Sequence, residues 1–233
     1  MSSFRHAILA LSITTAHAYA GTPAPVALTG SELKALCTVD ASTLQICVGY
    51  VAGVSDELES TSQGLDAATA ALVAPCPGKQ MAELVASTLK ELNARPGALT
   101  DPALSAVQFA LHPPLGCDDA HPSKSEMSYF ADGARLKGFC IGSDRNERLQ
   151  CEGYIRAVAD ATLRVLKDPR VRSLKSCTPT WQTPDQAISA TIVYLNAHPE
   201  HGKVPAPTLI QAALLPPACL LAPVSTSPAS PQK

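Results

Sequence analysis

Apolar positions recur along this chain at helical spacing, and the pattern occurs twice. Ile46, Tyr50 and Val54 fall at i, i+4 and i+8, and Tyr154, Val158 and Thr162 repeat that series later in the chain. The stretch Cys47-Val48-Gly49-Tyr50-Val51-Ala52-Gly53-Val54-Ser55-Asp56 returns in register 104 residues later as Cys151-Glu152-Gly153-Tyr154-Ile155-Arg156-Ala157-Val158-Ala159-Asp160. A glycine inside a helix costs about 1 kcal/mol relative to alanine. Gly49 and Gly153 stand at the same place in both stretches, which argues for close packing against a neighbouring helix or a cysteine bridge.

The other elements come in pairs as well. Ser31 is placed to cap a first helix from Glu32 to Cys37, with Leu33 and Leu36 apolar. Its counterpart ends at Cys140 with Leu136 and Phe139; Met127, Phe130 and Leu136 keep helical spacing, so that helix is expected to start near Ser125. The long helices span roughly Thr43 to Ser60 and Glu147 to Lys167. Exposed loops of unequal length are expected after them, Thr61 to Pro75 and Asp168 to Ser176.

A third helix carries Met81, Leu84, Val85, Thr88, Leu89 and Leu92 on one stripe. Ala187, Ile188, Thr191, Ile192 and Leu195 reproduce that stripe. Thr183, Pro184 and Gln186 have the residue types of an N-cap, N1 and N3. Arg95-Pro96 and His198-Pro199 end the pair, because the residue before proline avoids helical angles. Fourth helices are expected over Pro102 to Leu111 and Pro205 to Leu215. No alternating strand pattern is found, so the fold class is all-α: two tandem homologous, disulfide-stapled four-helix domains. Their expected bounds are 30–117 and 125–219. A signal peptide over 1–20 precedes them, and a disordered Ser/Pro/Thr-rich tail over 220–233 follows.

Arg5, the apolar run Ala7 to Ile13 and Ala18-Tyr19-Ala20 have the three parts of a secretory signal, with cleavage near Ala20. Ala16-His17-Ala18 is a second possible site. The apolar run is too short for a membrane span. No cysteine follows the cleavage site until Cys37, which argues against a lipid anchor. The expected location is therefore periplasmic. The whole chain carries a formal charge of −2, with 16% charged residues, and implies no nucleic-acid partner.

An oxidising compartment lets paired cysteines persist as disulfides. The chain has 8 cysteines. Cys37, Cys47, Cys76 and Cys117 are separated by 10, 29 and 41 residues, and Cys140, Cys151, Cys177 and Cys219 by 11, 26 and 42. The matching gaps favour two four-cysteine domains. A plant lipid-transfer module would need adjacent Cys-Cys and Cys-x-Cys, and neither occurs. Four cysteines allow three pairings. Helix-end placement favours first-with-second and third-with-fourth in each domain, hence Cys37–Cys47, Cys76–Cys117, Cys140–Cys151 and Cys177–Cys219.

Candidate chemistry is sparse. A cysteine nucleophile would need a free thiolate near His112 or His198. Bridged cysteines remove it, so no catalytic residue is assigned. His198-Pro199-Glu200-His201 has metal-ligand residue types, but its proline and loop position argue for a helix-terminal turn; no metal or other cofactor is expected. Asp56 and Asp160 read as local hydrogen-bonding or solvated positions. Tyr50 and Tyr154 read as core residues with a hydroxyl partner. Trp181 has no match in the first stretch, and sequence leaves it either a packing residue or an exposed contact.

The order of these features resembles the Tai family, also called Rap, small periplasmic helical proteins of type VI secretion systems. The second half carries the run most fully: Leu136, Cys140, Cys151-Glu152-Gly153-Tyr154-Ile155, Asp160, Cys177, Tyr194-Leu195-Asn196-Ala197-His198-Pro199-Glu200, Pro205-Ala206, Ala213-Leu214 and Cys219. The first half keeps Cys47-Val48-Gly49-Tyr50, Asp56, Leu92, Pro96, Pro102-Ala103, Ala110-Leu111 and its four cysteines, but has Arg95-Pro96-Gly97 in place of His-Pro-Glu. The resemblance implies an inhibitor, not an enzyme: an immunity protein that occludes a papain-like peptidoglycan amidase effector. Family members are single-domain and act as dimers, whereas this chain carries two domains.

Three readings follow. The implied partner is a protein effector, with the two domains packed as an internal pseudo-dimer and the basic residues Arg164, Arg170 and Arg172 as its contact, since Arg is enriched at interface hot spots. The second reading is a general periplasmic helical binding or stress protein that has diverged from the immunity role. An enzyme is the third and would need free thiols.

Overall fold

A computed structural model describes residues 27–63, 65, 74–75, 79–112, 130–168 and 177–220. Eight α-helices lie among them: α1 (Gly30–Thr38), α2 (Ala41–Ser62), α3 (Met81–Ala94), α4 (Ala103–Leu111), α5 (Gly133–Ile141), α6 (Arg145–Lys167), α7 (Pro184–Ala197) and α8 (Ala206–Leu214). The described residues form no strand, and the chain is all-α. None of the described helices is long and apolar enough to cross a membrane.

Helix starts follow from short polar side chains. Thr183 accepts from the Gln186 N–H, with Pro184 in the first turn. Asp40 and Asp144 cap the two long helices. Two expected starts move. Thr29, not Ser31, caps α1, in a capping box with Glu32. Helix α5 begins at Gly133 under an Asp132 cap, not near Ser125. The physical reason is that the Phe130 and Ala131 N–H groups are already taken, at 2.8 and 3.0 Å, by the Asp56 carboxylate. Residues 113–129 lie outside the described residues, as do the signal segment, the C-terminal tail and most of the two expected loops.

Within each half, the segment before the first helix pairs with the segment before the last. Thr29 bridges Pro102, and Asp132 bridges Pro205, both antiparallel. Disulfides staple the first two helices of each half: Cys37–Cys47 and Cys140–Cys151, each with Cα atoms 5.1 Å apart. Cys177–Cys219 ties the entry to α7 to the exit of α8. The expected Cys76–Cys117 pair lies outside the described residues. Replacing Cys140 and Cys151 together by serine should lower the unfolding free energy by about 3 kcal/mol in a chain-entropy account, read from urea titration.

The core has two main parts, and each borrows from the other half. Leu33, Tyr50, Val51, Leu92, Val107 and Leu111 pack with Ala157 and Ala161 of α6. Leu136, Tyr154, Ile155, Trp181, Leu195 and Ile210 pack with Ala52 of α2. Trp181 is buried, so it is a packing residue.

The borrowing arises because α2 and α6 lie directly against each other. Gln150 Nε2 donates to Gln45 Oε1 at 2.7 Å. Gly49 faces the Gln150 backbone, Gly153 faces the Ile46 backbone, and Gly53 faces Tyr154 and Ala157. Contacts advance together along both helices, so the two run in the same sense. Without a Cβ the backbones approach until Cα–H groups meet carbonyls, a contact side chains would forbid.

Candidate functional site

The long helices carry the residues that the sequence singled out, and the fold brings them together across the halves. The Tyr50 hydroxyl donates to Asp160 Oδ2 at 2.8 Å, and the Tyr154 hydroxyl donates to Asp56 Oδ2 at 2.6 Å. Asp160 also accepts the Leu28 N–H at 3.2 Å. Each carboxylate therefore fastens the tyrosine of the opposite long helix to the strand-like entry of the opposite half. Both aspartates are buried. The expectation of a local or solvated role is corrected: their partners lie 74 to 132 residues away in sequence.

Burial sets the electrostatics of this clasp. It pushes Asp56 up to about 6, against the donated bonds from Tyr154, Phe130 and Ala131. It pushes Asp160 up to about 6, against those from Tyr50 and Leu28. Glu57, the next residue on α2 after Asp56, is buried and pushed up to about 7, while Gln211 Nε2 of α8 donates to both of its oxygens at 3.0 and 3.2 Å. Burial raises the Tyr50 phenol well above its usual range, and the adjacent Asp160 adds to this. A raised phenol is a proton donor, not a base, so these groups serve as a hydrogen-bonded joint.

A cavity of about 470 Å³ opens beside the joint. It is lined by Ala27, Pro102, Leu104 and Leu163, by Asp160, and by Arg164, Lys167 and Asp168. Arg164 is exposed, and its guanidinium donates to the Gln108 side chain of α4, tying the end of α6 to the other half. Arg170 and Arg172 lie outside the described residues. All six described cysteines sit in disulfides, so no described thiol is available to a histidine.

Sequence spacing missed two arrangements. Glu57 carries no motif, and only its burial against α8 marks it. The His198 stretch is the helix-terminal turn that the sequence predicts, with no metal expected there. The structure instead brings His198, Glu200 and His201 donor atoms within 4.8 Å of one another.

The C-terminal half carries the Cys-x-Gly-Tyr helix α6 with Asp160 and two disulfides. Residues 132–215 match the family model of the Rap1a immunity proteins. The matched region begins at the Asp132 cap of α5 and ends just past α8. It contains Gly153, Tyr154, Asp160 and the His198 turn, so the Rap1a match covers the half in which the residue run is fullest. No curated protein and no solved structure matches the chain. The Rap1a region is also the half whose aspartate clasps the N-terminal half.

Proposed function

We propose that this chain is a periplasmic immunity-type protein that binds and occludes a peptidoglycan amidase effector of a type VI secretion system. The observation that carries this reading is the match of residues 132–215 to the Rap1a immunity proteins. The residue run in the first half supports extending it to a tandem pair, 30–117 and 125–219, exported after cleavage near Ala20. The reciprocal Tyr–Asp bonds and the glycine contacts of α2 and α6 support treating the two domains as an internal pseudo-dimer.

Occlusion requires a rigid surface and no group transfer. The disulfides and the buried joint supply the rigidity. The basic segment Arg164, Arg170 and Arg172 supplies the contact: a planar guanidinium forks onto carboxylates and carbonyls with little loss of freedom. Arg164 lines the cavity from the last turn of α6.

The test is inhibition of a papain-like amidase effector encoded beside the gene, assayed on peptidoglycan. Stoichiometric inhibition is expected; a chain that neither binds nor inhibits such an effector contradicts the reading. The triple replacement R164A/R170A/R172A should weaken inhibition by roughly fivefold or more, equivalent to more than about 1 kcal/mol. Its melting temperature should fall only slightly, since the Arg164–Gln108 bond it removes is exposed. Unchanged inhibition removes this segment from the interface.

A further inference from the structure

We propose that the turn after α7 binds one divalent transition-metal ion of the zinc class, through His198 Nδ1, Glu200 Oε1 and His201 Nε2. Among the described residues this is the one trio of histidine, cysteine or acidic side chains whose donor atoms converge, all within 4.8 Å. Glu200 Oε1 lies 3.1 Å from His198 Nδ1 and 3.7 Å from His201 Nε2. Four ligands at zinc's usual bond lengths of about 2.0–2.1 Å stand about 3.3 Å apart on a tetrahedron. Two of the three required separations are thus near their final values before any ion enters.

The backbone holds this geometry. Pro199 fixes the first residue of a short 3-10 turn, Pro199–His201, in which the His201 N–H reaches the His198 carbonyl at 3.1 Å. The far side of the turn is pinned to α5: the Ala134 N–H donates to the Gly202 carbonyl and the Gly133 N–H to the Val204 carbonyl, both at 2.9 Å. Gly133 has no room for a side chain there, since its Cβ would come 2.7 Å from the His201 carbonyl oxygen. The Tyr194 ring lies 4.4 Å from the His198 ring, and its hydroxyl is 3.5 Å from His201 Nδ1, which leaves Nε2 as the free donor. The two imidazoles are nearly parallel, at 9°, so loading must turn one ring about χ2, a broad torsion.

Two imidazoles and one carboxylate form a borderline donor set, suited to zinc, nickel or copper and not to magnesium or calcium. Three protein ligands leave one position open to water or to a donor from a bound partner. The first half has Arg95-Pro96-Gly97-Ala98 at the corresponding turn, so the expected stoichiometry is one ion per chain.

The experiment is isothermal titration of untagged mature protein with zinc chloride, with magnesium chloride as the comparison. One saturable zinc site and no magnesium heat are expected. His198→Ala and His201→Ala should each weaken zinc binding by roughly tenfold or more, a loss at least as large as that for an outer-shell partner. His112→Ala should leave it unchanged. Zinc should also raise the melting temperature of the wild type and of the His112 variant, but not that of the double variant H198A/H201A. Each variant is compared with its own metal-free melting temperature, because His198 and His201 are half-buried and His198 packs on Tyr194. Zinc binding undiminished in the double variant overturns the proposal, as does the absence of a saturable site in the wild type.

Discussion

Gly49→Ala is expected to destabilise the protein by about 3–5 kcal/mol, at the upper end of what overpacking does. A Cβ at this position would overlap the Gln150 carbonyl oxygen and lie 2.8 Å from its carbonyl carbon. A side chain in the way can turn to another rotamer, but a backbone carbonyl inside α6 cannot move without shifting the helix. Gly153→Ala meets the Ile46 carbonyl in the same manner and should behave alike. Gly138→Ala is the control. It lies in α5 with nothing within 4 Å of its Cβ, and should gain up to about 1 kcal/mol from helix propensity. Urea titration of the three variants separates close packing from propensity.

The second large effect concerns the clasp. Asp56→Ala leaves two backbone N–H groups and the Tyr154 hydroxyl without their acceptor in a buried site. Each orphaned group costs on the order of 1–3 kcal/mol, so a total loss of about 3–5 kcal/mol is expected. Tyr154→Phe removes one donor while the backbone pair keeps the carboxylate, and should cost about 1–2 kcal/mol. Asp160→Ala removes the acceptor of Tyr50 and Leu28 and should fall between the two.

The same carboxylates predict a pH dependence. Asp56 and Asp160 rise from 3.8 to about 6 on folding, and Glu57 rises from 4.5 to about 7. A carboxyl whose folded value is raised binds more protons folded than unfolded. Its stabilising contribution is fully present below its unfolded value and is lost as pH rises through the folded value. Stability should therefore decline as pH rises from about 4 to about 7, the span between the unfolded and folded values of these three carboxyls. Urea midpoints across that range should show the decline, and Asp56→Ala should flatten it. A stability that climbs over this range would show that these groups are not held near neutrality.

Much of the fold was legible in the chain, and the limits have physical causes. Apolar spacing located α2, α3, α6 and α7 within a few residues, because a helix writes its period into consecutive positions. Cysteine order and helix-end placement anticipated Cys37–Cys47, Cys140–Cys151 and Cys177–Cys219. The start of α5 was misplaced because Phe130 keeps helical spacing with Leu136, yet its N–H is bound by a carboxylate 74 residues away. No local pattern encodes that. The aspartates were misread for the same reason: a polar residue on a helix looks solvated until the partner helix is known. At the His198 turn, Pro199 predicts only where the helix ends. The structure adds that the 3-10 turn and α5 gather three donors on one side.

Helix α2 lies on α6, and the reciprocal tyrosine–aspartate bonds join the two halves. Scanning calorimetry of the intact, oxidised chain tests this joining most directly. The expected result is a single transition whose calorimetric and van't Hoff enthalpies agree, moved as a whole by Gly49→Ala in the N-terminal half and by Asp160→Ala in the C-terminal half. Two separate transitions, each shifted by only one of these replacements, would contradict it.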